Sequence, residues 1–436
     1  YFGRSLKFNQ YLPSYYLSLH THTDFFYLVI LKRSLESSMA FSIWTATAAI
    51  LCLLASSVSS VGGVGGGGLF VPILSIIAGL SLKTASGYST LMVTGGSLAN
   101  VMWSLFATKK MVGRASINYD IALLSEPCML LGVSLGVICN QAFPNWLITV
   151  FFCVFLTWST VKTCGSGVVL WRQESQASED IDFADERTSL LNEPLIDPAT
   201  QPRRRCPWGK LAALIAIWVS FFTICFVRGN KYGKGVIHIE ACGFTYWLIL
   251  ALQFPLAAIS TAWMMTRMQN PDQTEENPCL LGLDDGKEGG RESVRKKIII
   301  PLMALLAGLL GGVFGIGGGI LISPFLLQLG VPPEVTCATC SFMVFFSSTM
   351  TALQYTFMGM EHVECALGFA VVCFIGSLGG LLVGKRVIRK YGRTSLIVLS
   401  VGAVLLLSTV LMTSFEAVGI WRDFREGKNM GFKLPC

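Results

Sequence analysis

Ten stretches of this chain stay apolar for roughly twenty residues each: 39–61, 84–107, 119–140, 145–165, 210–227, 244–265, 298–316, 335–358, 365–384 and 394–413. Twenty residues of helix rise about 30 Å, the thickness of a bilayer's hydrocarbon. In hydrocarbon every backbone amide needs an internal partner, so runs of this length predict membrane-crossing helices. Composition agrees. Charged residues are 14% and AVILMFWYC residues 53% of the chain, against about 25% charged in soluble proteins. Disordered, collagenous and disulfide-scaffold classes are excluded, as is a soluble enzyme with one large core. The expected fold is an all-α polytopic membrane protein.

Charge placement divides the chain further. The stretches 172–209 and 266–297 hold 26 of the 59 charged residues and read as charged cytosolic loops. The net charge of +7 is therefore an orientation signal between apolar runs, with no nucleic-acid partner expected. The expected organisation is a poorly ordered N-terminal extension (1–38), a first transmembrane repeat (39–171) and the first loop (172–209). Two linking helices (210–265), the second loop (266–297), a second repeat (298–413) and a tail (414–436) follow. A chain that starts at Tyr1 is read as a fragment or as carrying an extension. Most of the 14 cysteines lie in apolar runs, where cysteine acts as a small hydrophobe.

The chain repeats itself. Gly63-Val64-Gly65-Gly66-Gly67-Gly68-Leu69-Phe70-Val71-Pro72 matches Gly315-Ile316-Gly317-Gly318-Gly319-Ile320-Leu321-Ile322-Ser323-Pro324 at a shift of 252 residues; one residue is then lost, and Gly79 pairs with Gly330. Short apolar pieces follow, 69–80 and 320–330, each about 17–18 Å long as helix. Runs of glycine extend helices poorly, so both clusters are expected to break them, with Pro72 and Pro324 as helix-break prolines. Duplication around broken helices marks secondary transporters. The loops 108–118, 172–209, 266–297 and 385–393 carry 19 Lys and Arg, whereas 141–144 and 359–364 carry none and 228–243 carries Arg228, Lys231 and Lys234. That bias predicts two halves of inverted topology; Lys32 and Arg33, ahead of the first run, go against it.

Two glycine breaks facing each other would offer bare N–H groups and the positive ends of two short helices to an anion. Gly65, Gly66, Gly67, Gly317, Gly318 and Gly319 are thus candidate substrate-binding residues; close packing of helices through small residues is the alternative. Leucine at Gly66 and Gly318 is expected to stop anion flux while leaving membrane insertion intact. Ser89, Thr90, Asn100, Thr339 and Ser341, with Ser86, Thr94, Ser347, Ser348 and Gln354, are candidate path-lining donors, although hydroxyls also bond to their own helix.

The doubled glycine motif resembles the signature of the sulfite exporter TauE/SafE family, also called the sulfonate uptake permease family. Lys83-Thr84-Ala85-Ser86, Met92-Val93-Thr94-Gly95-Gly96-Ser97-Leu98-Ala99-Asn100, Tyr119-Asp120-Ile121-Ala122-Leu123-Leu124, Pro144-Asn145-Trp146-Leu147-Ile148-Thr149-Val150 and Phe345-Phe346-Ser347-Ser348 resemble its plant-type members. The resemblance spans roughly 40–415. It implies a polytopic carrier of sulfur-containing anions such as sulfite or organosulfonates.

Glu126 is the one carboxylate well inside an apolar run, at a position where the family often carries glutamine. It reads either as a proton-coupling group or as a neutral acid bonded to a neighbouring helix. Cys337-Ala338-Thr339-Cys340 has no second pair and no nearby histidine, so no zinc is expected. Glu186, Leu190 and Leu191 fit an acidic dileucine pattern that sorting adaptors read, which also arises by chance in acidic loops. No Walker loop, HExxH or nucleophile elbow is present, so neither an enzyme, a cofactor nor ATP drive is expected. The expected partners are a small anion, membrane lipid, a coupled proton and sorting adaptors. Oligomeric state stays open. The expected location is an endomembrane (endosomal, vacuolar or Golgi) or the plasma membrane. Two rival readings remain: a membrane receptor or scaffold acting through its cytosolic loops, and a thiol or acyl-transfer enzyme using Cys337 or Cys340.

Overall fold

The computed structural model describes residues 43–63, 65–110, 117–187, 208–228, 243–267, 290–360, 362–391 and 395–425. Residues 1–38, Leu190, Leu191 and most of both charged loops lie outside the described residues. Thirteen helices and no strand occur among those described. They are α1 (Ile43–Val61), α2 (Gly67–Ile76), α3 (Leu82–Lys110), α4 (Tyr119–Ala142), α5 (Asn145–Arg187), α6 (Trp208–Arg228), α7 (Phe244–Ala251), α8 (Gln253–Arg267), α9 (Gly290–Phe314), α10 (Gly319–Gln328), α11 (Pro333–Phe357), α12 (Val363–Tyr391) and α13 (Ser395–Arg425). Eight helical segments among the described residues are long and apolar enough to cross a membrane, α7 with α8 counting as one. α3 is not among them, because its interior-facing hydroxyls lower its hydropathy. The apolar part of α9, Ile298–Phe314, falls short in length.

Helix starts follow from local chemistry. The Asn118 side chain caps α4 by accepting from the Asp120 and Ile121 amides at 3.1 and 3.2 Å. α11 opens on Pro333, with Glu334 in its first turn, where a missing N–H costs nothing and a negative charge suits the helix dipole. Three helices run past their apolar stretches, α5 to Arg187, α9 from Gly290 and α13 to Arg425. The α5 extension is made of helix formers such as Gln, Glu and Ala. Its Glu174 holds the start of α13, accepting from Ser395 N and Oγ at 3.0 and 2.5 Å.

Pro72 and Pro324 lie inside α2 and α10 rather than at their breaks. A helical proline frees the carbonyl four residues earlier. Those carbonyls are Gly68 and Ile320. Ser408 of α13 donates to Gly68 O, and Ser159 of α5 donates to Ile320 O at 3.5 Å. Each short helix is thus pinned at its proline by a serine from a long neighbour.

Packing crosses between the two ends of the chain. α4 lies along α9, α1 along α12, α3 between α11 and α12, and α5 along α13. Small residues make the tight seams. A β-carbon at Gly312 of α9 would sit 2.6 Å from Val133 O, and one at Gly376 of α12 would sit 2.7 Å from Leu53 O. Hydroxyls stitch the second seam, where Ser56 and Ser57 donate to Cys373 O and Gly376 O at 2.7 and 2.8 Å. α4 is the most enclosed span, whereas α6 and the α7–α8 pair lie at the periphery. Lys210 at the start of α6 pairs with Asp120 at the start of α4 at 2.9 Å.

Candidate functional site at the glycine junction

α2 and α10 start alike. Their N-cap residues, Gly66 and Gly318, sit at φ 79° and 67°, in the left-handed region that glycine enters without strain. The preceding glycines repeat the pattern: φ is 69° and 77° at Gly63 and Gly65, 70° and 75° at Gly315 and Gly317.

The two breaks touch. A β-carbon at Gly67 would lie 2.6 Å from Ile316 Cα, so the first turn of α2 rests on the loop that leads into α10. A β-carbon at Gly63 would run into the backbone of Cys337, and one at Gly315 into the backbone of Ser86. The N-terminal ends of two short helices therefore meet inside the bundle, where partial positive charge gathers. The junction is packed. β-Carbons at Gly65 and Gly317 would both abut the same two methyls, Cγ1 of Val93 and Cγ1 of Val344.

Polar groups from α3 and α11 surround the junction. Asn100 Nδ2 donates to Ser341 Oγ at 3.3 Å, and Ser341 Oγ donates to Gly63 O at 3.2 Å. Ser347 Oγ donates to Gly317 O at 3.3 Å. The Thr94 hydroxyl lies 3.1 Å from Ser348 Oγ. Buried Asn100 Oδ1 and Ser89 Oγ have no hydrogen-bond partner. Other candidates are occupied elsewhere. Thr90 and Ser86 bond to their own helix, at Gly87 O and Leu82 O. Thr339 Oγ1 accepts from Asn118 N at 2.9 Å, ahead of α4. Gln354 donates to Ser134 Oγ at 3.0 Å, in a separate polar cluster that includes Cys225 and Gln253. Gly319 N is spent on Gly317 O at 2.8 Å.

A small cavity flanks the first break, lined by Gly62, Thr163, Ser323, Pro324, Thr336 and Cys337 among others. The buried Thr163 hydroxyl has no hydrogen-bond partner. Glu126 is fully buried in α4, and neither carboxylate oxygen has a partner. Among the described residues no three His, Cys, Asp or Glu side chains gather to hold a metal.

The geometry changes one expectation. A β-carbon at Gly66 would lie 2.6 Å from the Phe70 ring, and one at Gly318 would lie 2.7 Å from Met129 Cε and 2.9 Å from Ala307 O. With left-handed φ as well, leucine at either position disrupts packing, so loss of flux there would not isolate anion binding. Sequence reasoning also missed Val93 and Val344. Their signal was the shift of 251 residues that relates them, the same shift that pairs Gly79 with Gly330.

A family model described as "Sulfite exporter TauE/SafE" matches residues 27–228 and 242–412. Among curated relatives, "Sulfite exporter TauE/SafE family protein 2" of Arabidopsis thaliana is 54% identical over 404 residues, covering 90% of this chain and 87% of the relative. Family protein 5 of the same plant is 50% identical over 416 residues, covering 93% and 90%. Family protein 3 is more distant, at 28% identity over 85% of this chain and 78% of the relative. No solved structure matches.

Proposed function

The chain belongs to the sulfite exporter TauE/SafE family, and from that membership we propose that it is a secondary carrier of small sulfur-containing anions such as sulfite or an organosulfonate. The observation that carries this reading is the meeting of the two glycine breaks. Two helix N-termini converge there among hydroxyl and amide donors, which is favourable for an oxyanion without a buried lysine. The moving parts are two halves of inverted topology. The matched left-handed glycines, and the serines that pin α2 to α13 and α10 to α5, support two related halves; the Lys and Arg bias of the loops argues for their inversion. The exchange of partners, α1 with α12 and α9 with α4, points the same way. Rocking of these halves about the junction gives alternating access.

Counterflow in proteoliposomes tests the reading. Vesicles preloaded with unlabelled sulfite should take up labelled sulfite far faster than protein-free vesicles. Sulfate, taurine and sulfoacetate as competing loads then rank the substrates. Uptake equal to that of protein-free vesicles with every load would end the carrier reading.

Cys337 and Cys340 separate this reading from thiol chemistry. Both are free, on the first turns of α11. The Cys337→Ser, Cys340→Ser double variant is expected to keep wild-type counterflow within about twofold, well under 1 kcal/mol. Complete loss with a normal thermal melt would favour a thiol mechanism.

A further inference from the structure

We propose that Val93 and Val344 form a paired aliphatic gate between the two glycine breaks and set the largest anion that passes; this rests on the carrier reading above. Both valines are fully buried. A β-carbon at Gly65 would lie 3.1 Å from Val93 Cγ1 and 3.4 Å from Val344 Cγ1. One at Gly317 would lie 2.8 and 3.1 Å from the same two methyls. One methyl from α3 and one from α11 are therefore wedged against both breaks at once.

The wedge occupies the place where an anion would meet both helix starts. Its surroundings are polar: Thr94 follows Val93 in sequence, Ser348 lies one turn after Val344, and Ser347 is bonded to Gly317 O. Aliphatic methyls amid hydroxyls are not needed to satisfy any polar group. What they do is fill the gap, because a void there would forfeit contacts on all sides. The glycines have no side chain to retract, and their neighbours Gly63, Gly315 and Gly67 lie tight against the backbones of Cys337, Ser86 and Ile316. Space for an anion thus opens only as the two valines part. α3 and α11 carry one each, so relative movement of those helices opens the gate. Valine has a single strongly preferred rotamer on a helix, which makes the closed wedge stiff and its size cut-off sharp.

The test uses the full chain in liposomes, with labelled sulfite and the larger sulfoacetate. The Val93→Ala, Val344→Ala double variant is expected to raise the sulfoacetate-to-sulfite flux ratio at least tenfold. The Val93→Ile, Val344→Ile double variant is expected to lower both fluxes at least tenfold while the protein stays monodisperse, with a melting temperature lowered by the overpacking. A Val93→Cys, Val344→Cys pair, oxidised and identified as a cross-linked peptide by mass, is expected to stop both fluxes until it is reduced. A ratio within twofold of wild type in the alanine variant overturns the gate and leaves the carrier standing. A cross-linked pair that leaves both fluxes at the wild-type level overturns it as well. A wild-type chain that carries neither anion ends the carrier reading, and the gate falls with it.

Discussion

Leucine in place of Gly132 or Gly380 is expected to leave no monodisperse, detergent-extractable protein, whereas leucine in place of Gly379 is expected to be tolerated. A β-carbon at Gly132 would run into Leu305 O and sit 2.7 Å from Leu309 N; one at Gly380 would run into Ser57 O. These obstacles are backbone atoms of α9 and α1, helices in contact along their length, so neither can shift locally. Apolar burial does not drive helices together within lipid. Close backbone approach and van der Waals contact do. A leucine would force α4 from α9, or α12 from α1, by most of a side chain's width. The cost should exceed about 3 kcal/mol, beyond the usual overpacking range. Gly379 is the neighbour of Gly380 but faces open space, and leucine there gains about 1 kcal/mol in helix propensity. Size-exclusion profiles and melting temperatures of the three variants decide the matter. Equal damage at Gly379 and Gly380 would show that the chain rejects leucine on α12 for a reason other than the α1 seam.

The same contrast marks how far the amino-acid sequence can be read. Ten apolar runs and a doubled glycine motif specify helices and two breaks, because span length and glycine's helix cost are local properties. That Gly132, Gly136, Gly308 and Gly312 face one another is not local. Spacing of four residues shows that each pair shares a helix face, but not which helix lies opposite. The prolines were misplaced for a related reason. Pro72 and Pro324 stay helical because Ser408 and Ser159 take up the carbonyls they free, and those serines lie in distant spans. Among the candidate donors, Ser341 and Ser347 bond to the breaks and Asn100 bonds to Ser341, while Thr94 bonds to its own helix and to Ser348, and Thr90 and Gln354 bond elsewhere. A hydroxyl's choice between its own backbone and a neighbour depends on tertiary packing. The valine wedge was hidden by its ordinariness, since two valines in apolar runs attract notice only once both breaks are seen to touch them.

Glutamine in place of Glu126 is expected to remove the pH dependence of anion flux. Glu126 is fully buried, with no partner at either carboxylate oxygen. An isolated charge there is costly, about 2.5–3.5 kcal/mol at a helix centre on insertion scales, and a bound proton removes that cost. The residue lies one turn before Met129, whose Cε would be 2.7 Å from a β-carbon at Gly318. We propose that a negative charge at Glu126, on the same helix as Met129, opposes an anion held at the second break. Proton and anion binding then favour each other, and reciprocity requires each to raise the affinity for the other by the same factor. Flux of the wild-type chain should rise as pH falls and should be driven by an inward proton gradient. The Glu126→Gln variant, fixed in the neutral form, should keep counterflow at every pH yet lose accumulation against an anion gradient. The split between retained exchange and lost accumulation is what a merely structural glutamate would not produce. Parallel pH profiles for the two proteins would remove Glu126 from the coupling and leave it as a buried acid tolerated by its neighbours.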